Sequence, residues 1–231
     1  MPKILYLNER GEEVPSTTTI IGKYKDMSGL MHFAWSEGKA GRGLNESRDR
    51  AGDVGSMLHG MIESYLNPNG KWILPTDNRL DALELARCLF QVFMRWWESN
   101  TLEVVATETS LVSEEHQYGG TLDLVARSPL GFVLLDWKTS SQFYQEMMLQ
   151  MAAYRHLWAM ASGASDPIAG ASLVLFSKTS KSLKVYPVTE EQMDLAFKKF
   201  LLLRKTYDME AAIAASVKEI RRAARSYDYD N

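Results

Sequence analysis

The stretch Gly119–Ser140, GGTLDLVARSPLGFVLLDWKTS, constrains the fold of this chain more than any other. Two apolar runs, Leu122 to Arg127 and Phe132 to Asp136, flank the turn signal Ser128-Pro129-Leu130-Gly131, so the segment reads as a β-hairpin. In a strand, residues i and i+2 share a face. Asp136 and Lys138 therefore project together while Trp137 turns the other way. A carboxylate and an ammonium on one face, beside the second carboxylate of Asp123, suit a divalent cation and an anionic substrate.

Counting register adds a third acid. If the turn is Ser128 to Gly131, Arg127 faces Phe132 and Asp123 faces Asp136. The preceding strand, about Leu102 to Ser113, carries Glu108; with Glu114 to Gln117 as the next loop, Ser113 faces Tyr118 and Glu108 faces Asp123. A one-residue slip would send an acid to the opposite face. Like charges directly opposite on a sheet repel. Three in register call for a counterion, and oxygen ligands suit Mg²⁺ or Mn²⁺. The alternative is a solvated charged patch, but these acids end apolar runs instead of alternating along an open strand.

Glu108, Gly120-x-x-Asp123, Asp136-x-Lys138 and Gln150-x-x-x-Tyr154, in that order, resemble the PD-(D/E)XK nuclease superfamily, and within it the RecB-like exonuclease branch. His59, in Gly55-Ser56-Met57-Leu58-His59, resembles the upstream histidine of that branch. Pro15 to Ile21 is similar to the N-terminal segment of phage-encoded exonucleases and of the mitochondrial genome maintenance exonuclease. The resemblance implies an α/β, restriction-endonuclease-like core, with a mixed central sheet flanked by helices. It implies metal ligation by Asp123, Asp136, the backbone carbonyl of Trp137, His59 and Glu108. Lys138 would orient a water or stabilise developing charge, and Gln150 and Tyr154, one helical turn apart, would meet the substrate. The implied activity is Mg²⁺- or Mn²⁺-dependent exonucleolysis of DNA, preferentially single-stranded, in recombination, repair or replication alongside proteins of those processes. A restriction-type or nicking endonuclease and an inert nucleic-acid-binding subunit are the alternatives.

The remaining sequence fits one domain of 231 residues: an arm and helices over 1–100, the catalytic sheet and helix over 101–190, and C-terminal helices over 191–231. Residues 1–14 read as strand, turn and strand. Leu30 to Trp35 reads as a short helix and Gly38 to Glu46 as a loop. Arg50 to Leu66 and Arg79 to Ser99 show helical periodicity, as does Gln142 to Ala161. Ile168 to Phe176 and Leu183 to Val188 read as strands, Thr189 and Gln192 as the start of a helix, and Tyr227 to Asn231 as a frayed tail.

Hydrophobic content of 45% and charged content of 24% are ordinary for a globular chain. No apolar run approaches the roughly 20 residues of a membrane span, and no signal peptide is visible, so the expected site of action is the cytoplasm of a bacterial or phage-infected cell. The net charge of −3 confines DNA attraction to local basic surface. Lys178, Lys181 and Lys184 form one such segment, with Lys178 and Lys181 the candidate substrate contacts. Lys218, Arg221, Arg222 and Arg225 form another. Lys39, Arg42, Arg48 and Arg50 are mixed with acids. Cys88 is the only cysteine; its apolar helical setting predicts a buried thiol. A lone cysteine excludes the four-cysteine iron–sulfur cluster of some RecB-like nucleases.

Overall fold

A computed structural model describes residues 4–41, 43–67, 80–163 and 167–225. The elements in order are β1 (Tyr6–Leu7), β2 (Glu13–Val14), α1 (Thr17–Lys23), α2 (Ser28–Lys39), α3 (Leu44–Leu66), α4 (Leu80–Glu98), β3 (Glu103–Ser113), β4 (Tyr118–Ser128), β5 (Gly131–Lys138), α5 (Gln145–Ser162), β6 (Ile168–Ser177), β7 (Ser182–Val188) and α6 (Glu190–Arg225). The central sheet has the order β3-β4-β5-β6-β7, antiparallel except for the parallel β5–β6 pair that α5 connects. It is a mixed sheet between two helical layers, the α/β, restriction-endonuclease-like architecture that the sequence implied.

Alternation along the strands divides the core. Leu134, Leu122, Leu173 and Leu175 pack with α1, α5 and α6 residues such as Ile20, Leu157 and Phe200. Leu135, Trp137, Val174 and Phe176 pack on the other face against Leu58, Ile62, Leu89 and Phe93 of α3 and α4. Trp137, 1% exposed, meets Phe93 edge-on at 5.4 Å between ring centroids. Leu135 and Trp137 on one face of β5 thus leave Asp136 and Lys138 on the other, beyond Leu134.

The expected register holds. Arg127 pairs with Phe132, and Ser113 with Tyr118. The β4–β5 turn is tighter than four residues: Ser128 pairs with Gly131, leaving Pro129-Leu130 as the loop, and Gly131 takes a φ of 118° that favours glycine. Thr189 and Gln192 form the expected capping box, with Gln192 Oε1 accepting from Thr189 N at 2.9 Å.

Three expectations are corrected. Gly38 to Glu46 is not a loop: Gly38 lies inside α2, and α3 already begins at Leu44. The first turns of α3, Asn45-Glu46-Ser47-Arg48-Asp49-Arg50, carry no apolar stripe to read. The C-terminal helices are one helix, since no glycine or proline interrupts Glu190–Arg225. Cys88 is half-buried, not buried. The tail Tyr227–Asn231, Arg79 and Arg42 lie outside the described residues. Among the described residues no helix is long and apolar enough to cross a membrane.

Candidate active site

The sheet forks where the acids sit. The β4–β5 ladder ends at Leu124↔Leu135, one step short of Asp123 opposite Asp136; before that point β4 pairs with β3 and, at Gly119, bridges to Ser16. The β3–β4 ladder skips one position between Thr109↔Leu122 and Thr107↔Leu124, which is Glu108 opposite Asp123. There Glu108 takes a φ of 43°, an uncommon conformation for a non-glycine residue. Asp123 partly closes the fork: its Oδ2 accepts the Trp137 N–H at 2.8 Å, replacing a ladder bond.

Asp136 is 0% exposed, and the Lys138 ammonium lies 2.5 Å from its Oδ2. Apart from that ion pair, neither carboxylate oxygen has a hydrogen-bond partner among the described residues. His59, from α3, sits across the fork. Its Nε2 lies 2.9 Å from the Trp137 carbonyl, which only accepts, so Nε2 carries the proton. The Nδ1 lone pair then faces Asp123, 3.8 Å from Oδ2. One ligand atom each from His59, Glu108 and Asp123 lies within 4.8 Å of the others.

The electrostatics follow from packing negative charge into a poorly solvated fork. Burial pushes Glu108 up to about 8, with Asp123, Glu63 and Asp136 adding to the rise and Lys138 opposing it. Burial also raises Asp136, against the pull of Lys138. Burial alone would depress Lys138, but Asp136 and Asp123 outweigh it and hold the ammonium above its usual range. His59 is depressed by burial, partly offset by Asp123. The donor set is carboxylate oxygens, among them a buried one compensated by Lys138, and one neutral imidazole, and it fits a hard divalent cation.

Glycines shape the floor. A Cβ on Gly120 would stand 2.6 Å from Tyr154 Cε1, and one on Gly119 2.4 Å from the Tyr6 ring. Tyr154 is buried, and its hydroxyl accepts from Gln150 Nε2 at 2.7 Å. Burial raises Tyr154 well above its usual range, with the charges of Asp136 and Asp123 adding to it. The Pro15 to Ile21 stretch docks on the same glycines: Gly119 N donates to the Pro15 carbonyl and Thr17 Oγ1 donates to the Gly119 carbonyl.

The structure thus brings Asp123, Asp136, Lys138, Trp137, His59 and Glu108 together, with Gln150 and Tyr154 beside them. Lys178 and Lys181 do not join the cluster. They occupy the β6–β7 turn, at the end of the sheet where Lys138 lies level with Leu175. Glu63, overlooked in the sequence, sits one helical turn beyond His59, and its charge raises both His59 and Glu108. The i, i+4 spacing of His59 and Glu63 on an amphipathic helix was its available signal.

A family profile for the PD-(D/E)XK nuclease superfamily matches residues 30–228. The chain belongs to that superfamily. Members of the PD-(D/E)XK superfamily are nucleic-acid hydrolases that use divalent metals, and the cluster at the fork supplies groups able to hold one. No curated protein matches the sequence significantly. Among solved structures, the chain is similar to SSO0001, with 13% identity and a TM-score of 0.31, over 53% of this chain and 61% of that one. It therefore spans less than two thirds of SSO0001. It is also similar to LHK-Exo, solved in complex with dAMP, with 11% identity and a TM-score of 0.36, over 77% of this chain and 91% of that one.

Proposed function

We propose that this PD-(D/E)XK protein is a Mg²⁺- or Mn²⁺-dependent DNA exonuclease of the RecB-like branch. It hydrolyses phosphodiester bonds from DNA ends, preferentially on single strands, during recombination, repair or replication in the cytoplasm of a bacterial or phage-infected cell. The whole chain, 1–231, serves as one nuclease domain. The observation that carries this reading is the fork: a buried Asp136 bearing Lys138 on one side, and Asp123, Glu108 and His59 converging on the other.

Asp123 and Asp136 would hold the cation, with His59 Nδ1 and Glu108 as further donors; the Trp137 carbonyl, expected as a ligand, lies 2.9 Å from His59 Nε2 on the opposite side of that ring and orients the imidazole instead. The chemistry such a cation would supply is a lowered pKa for a water beside it and charge relief on the scissile phosphate. Lys138 keeps its proton, held by Asp136, and offers the remaining N–H donors to the water or to a phosphoryl oxygen. Glu108, raised to about 8 without an ion, would give up its proton to serve as a donor. Trp137 N–H fixes Asp123, and the Trp137 carbonyl fixes the His59 tautomer, so two ligands are oriented before any substrate arrives. Gln150, braced by Tyr154, is placed to hold a phosphate, while Lys178 and Lys181 add backbone contacts.

The experiment compares linear and covalently closed circular single-stranded DNA with Mg²⁺ and with Mn²⁺. The expected result is degradation of the linear form with the circle left intact. Cutting of the circle identifies an endonuclease; retardation of both forms without cleavage identifies a binding module.

A further inference from the structure

We propose that Glu115, His116 and His156 form a second metal site, for Zn²⁺ or a similar borderline transition-metal ion, that clips the β3–β4 turn to α5. Glu115 and His116 lie on the turn between β3 and β4, and His156 lies on α5. One ligand atom from each lies within 4.8 Å of the others. Two imidazoles and a carboxylate are a recurrent Zn²⁺ donor set, with bonds of about 2.0–2.2 Å. A tetrahedral shell of such bonds requires the three atoms to close to separations of roughly 3.3 Å. None of these residues belongs to the fork.

The turn is held in place independently of any ligand. Arg204 Nε donates to the carbonyls of His116 at 3.1 Å and Gln117 at 3.0 Å, and His116 N donates to Ser113 Oγ at 3.2 Å. Next along β4, Tyr118 donates its hydroxyl proton to the Ala153 carbonyl of α5 at 3.0 Å. On the helix, His156 stacks on Phe197 with centroids 4.4 Å apart. Both imidazoles are thus pre-positioned, which lowers the ordering cost of binding an ion.

A second observation points to a ligand. His156 Nε2 is buried and has no hydrogen-bond partner among the described residues. The competing explanation is that His116 and His156, 5.0 Å apart and tilted by 42°, simply extend the aromatic cluster of Phe197, Phe200 and Tyr118. Aromatic packing accounts neither for an orphaned ring nitrogen nor for Glu115 beside the pair, 3.7 Å from His116 Nε2. Two cations flank the cluster: Arg155 is engaged by Asp194 and Glu190 of α6, and Arg204 by Asp208, so each charge is compensated by its own acids.

The full chain carrying Asp123→Asn and Asp136→Asn, which disables the fork, is titrated with Zn²⁺ by calorimetry and followed by thermal unfolding. Unsubstituted chain in excess Mg²⁺ is the parallel arm, should the double variant fold poorly. The expected result is a single Zn²⁺ bound with a rise in Tm, and a Co²⁺ complex with a visible tetrahedral absorption band. His116→Gln and His156→Gln should each weaken Zn²⁺ by tenfold or more, since losing a direct ligand costs at least the roughly tenfold of losing an outer one. His116→Gln should leave the metal-free Tm close to that of its parent. The proposal is overturned if Zn²⁺ raises Tm in neither arm, or if both histidine variants bind it as the parent does. It stands or falls apart from the nuclease reading, because no arm measures cleavage.

Discussion

The two histidine–carboxylate clusters differ in burial, and burial sets what each can hold. At the fork, Asp136 is 0% exposed and among the described residues only Lys138 pairs with it, so acids press against acids and Glu108 is pushed up to about 8. At the β3–β4 turn, Glu115 is exposed and two half-buried imidazoles supply the remaining ligand atoms. Carboxylates in excess favour hard, hydrated ions; neutral imidazoles in a majority favour borderline ones. One chain thus carries two sites whose preferences follow from donor count and solvation.

The largest expected effect breaks this comparison if the clusters share a job. Asp136→Ala should lower cleavage by about 10³-fold or more and abolish tight Mg²⁺ binding, since a buried ligand and the partner of Lys138 go together. Lys138→Ala should also remove most cleavage, yet keep Mg²⁺ binding, because an ammonium donates no lone pair to a cation. His116→Gln should leave cleavage within about twofold. A labelled-DNA assay beside Mg²⁺ calorimetry reads all three. If Lys138→Ala cleaves at the wild-type rate, Lys138 is structural; if His116→Gln is as inactive as Asp136→Ala, the separation of the sites is wrong.

A smaller effect should appear in the pH dependence of metal-free stability. Glu108 and Asp136 have raised folded pKa values, so the folded state holds protons that the unfolded state has released. Their contribution to stability therefore falls as pH rises from the ordinary carboxylate range towards about 8. His59 and His156 are depressed below 6.5, so the unfolded state binds protons first and their contribution falls as pH drops below that value. Chelator-treated protein should thus unfold more readily on either side of a mildly acidic to neutral optimum. Mg²⁺ should recover stability mainly on the alkaline side. Thermal unfolding from pH 5 to 9, with and without Mg²⁺, checks the signs; equal recovery at both ends would contradict them.

Much of the fork was legible because strands count by twos. Once two turns were located, the register placed Glu108, Asp123 and Asp136 in line, and tightening the second turn to Pro129-Leu130 moved no pair. The break in pairing at that line was not legible. It depends on the unusual φ of Glu108 and on Asp123 capping Trp137 N–H, neither of which is periodic. Glu63 and the start of α3 escaped for a related reason: polar residues on a half-solvated helix leave no apolar stripe. The imidazole cluster joins residues forty positions apart, and only the packing of α5 on β4 brings them together.

The smallest effect tests whether α5, which carries Tyr154 on the way to one cluster and His156 in the other, is held by its glycine floor. Gly120→Ala would place a methyl 2.6 Å from Tyr154 Cε1, 3.0 Å from Thr17 Oγ1 and 3.1 Å from Leu157 Cδ1. All three neighbours are buried, so none can swing into solvent. Overpacking of this kind costs about 1–3 kcal/mol. Gly22→Ala is the control, because nothing lies within 4 Å of its added Cβ and α1 continues through it. Relief of glycine's backbone entropy there should stabilise by about 0.5–1 kcal/mol. Urea unfolding of both variants gives the two signs. Opposite signs locate the strain under Tyr154; a Gly120→Ala chain as stable as the parent would mean that α5 slides freely on β4, and that neither cluster is fixed by that contact.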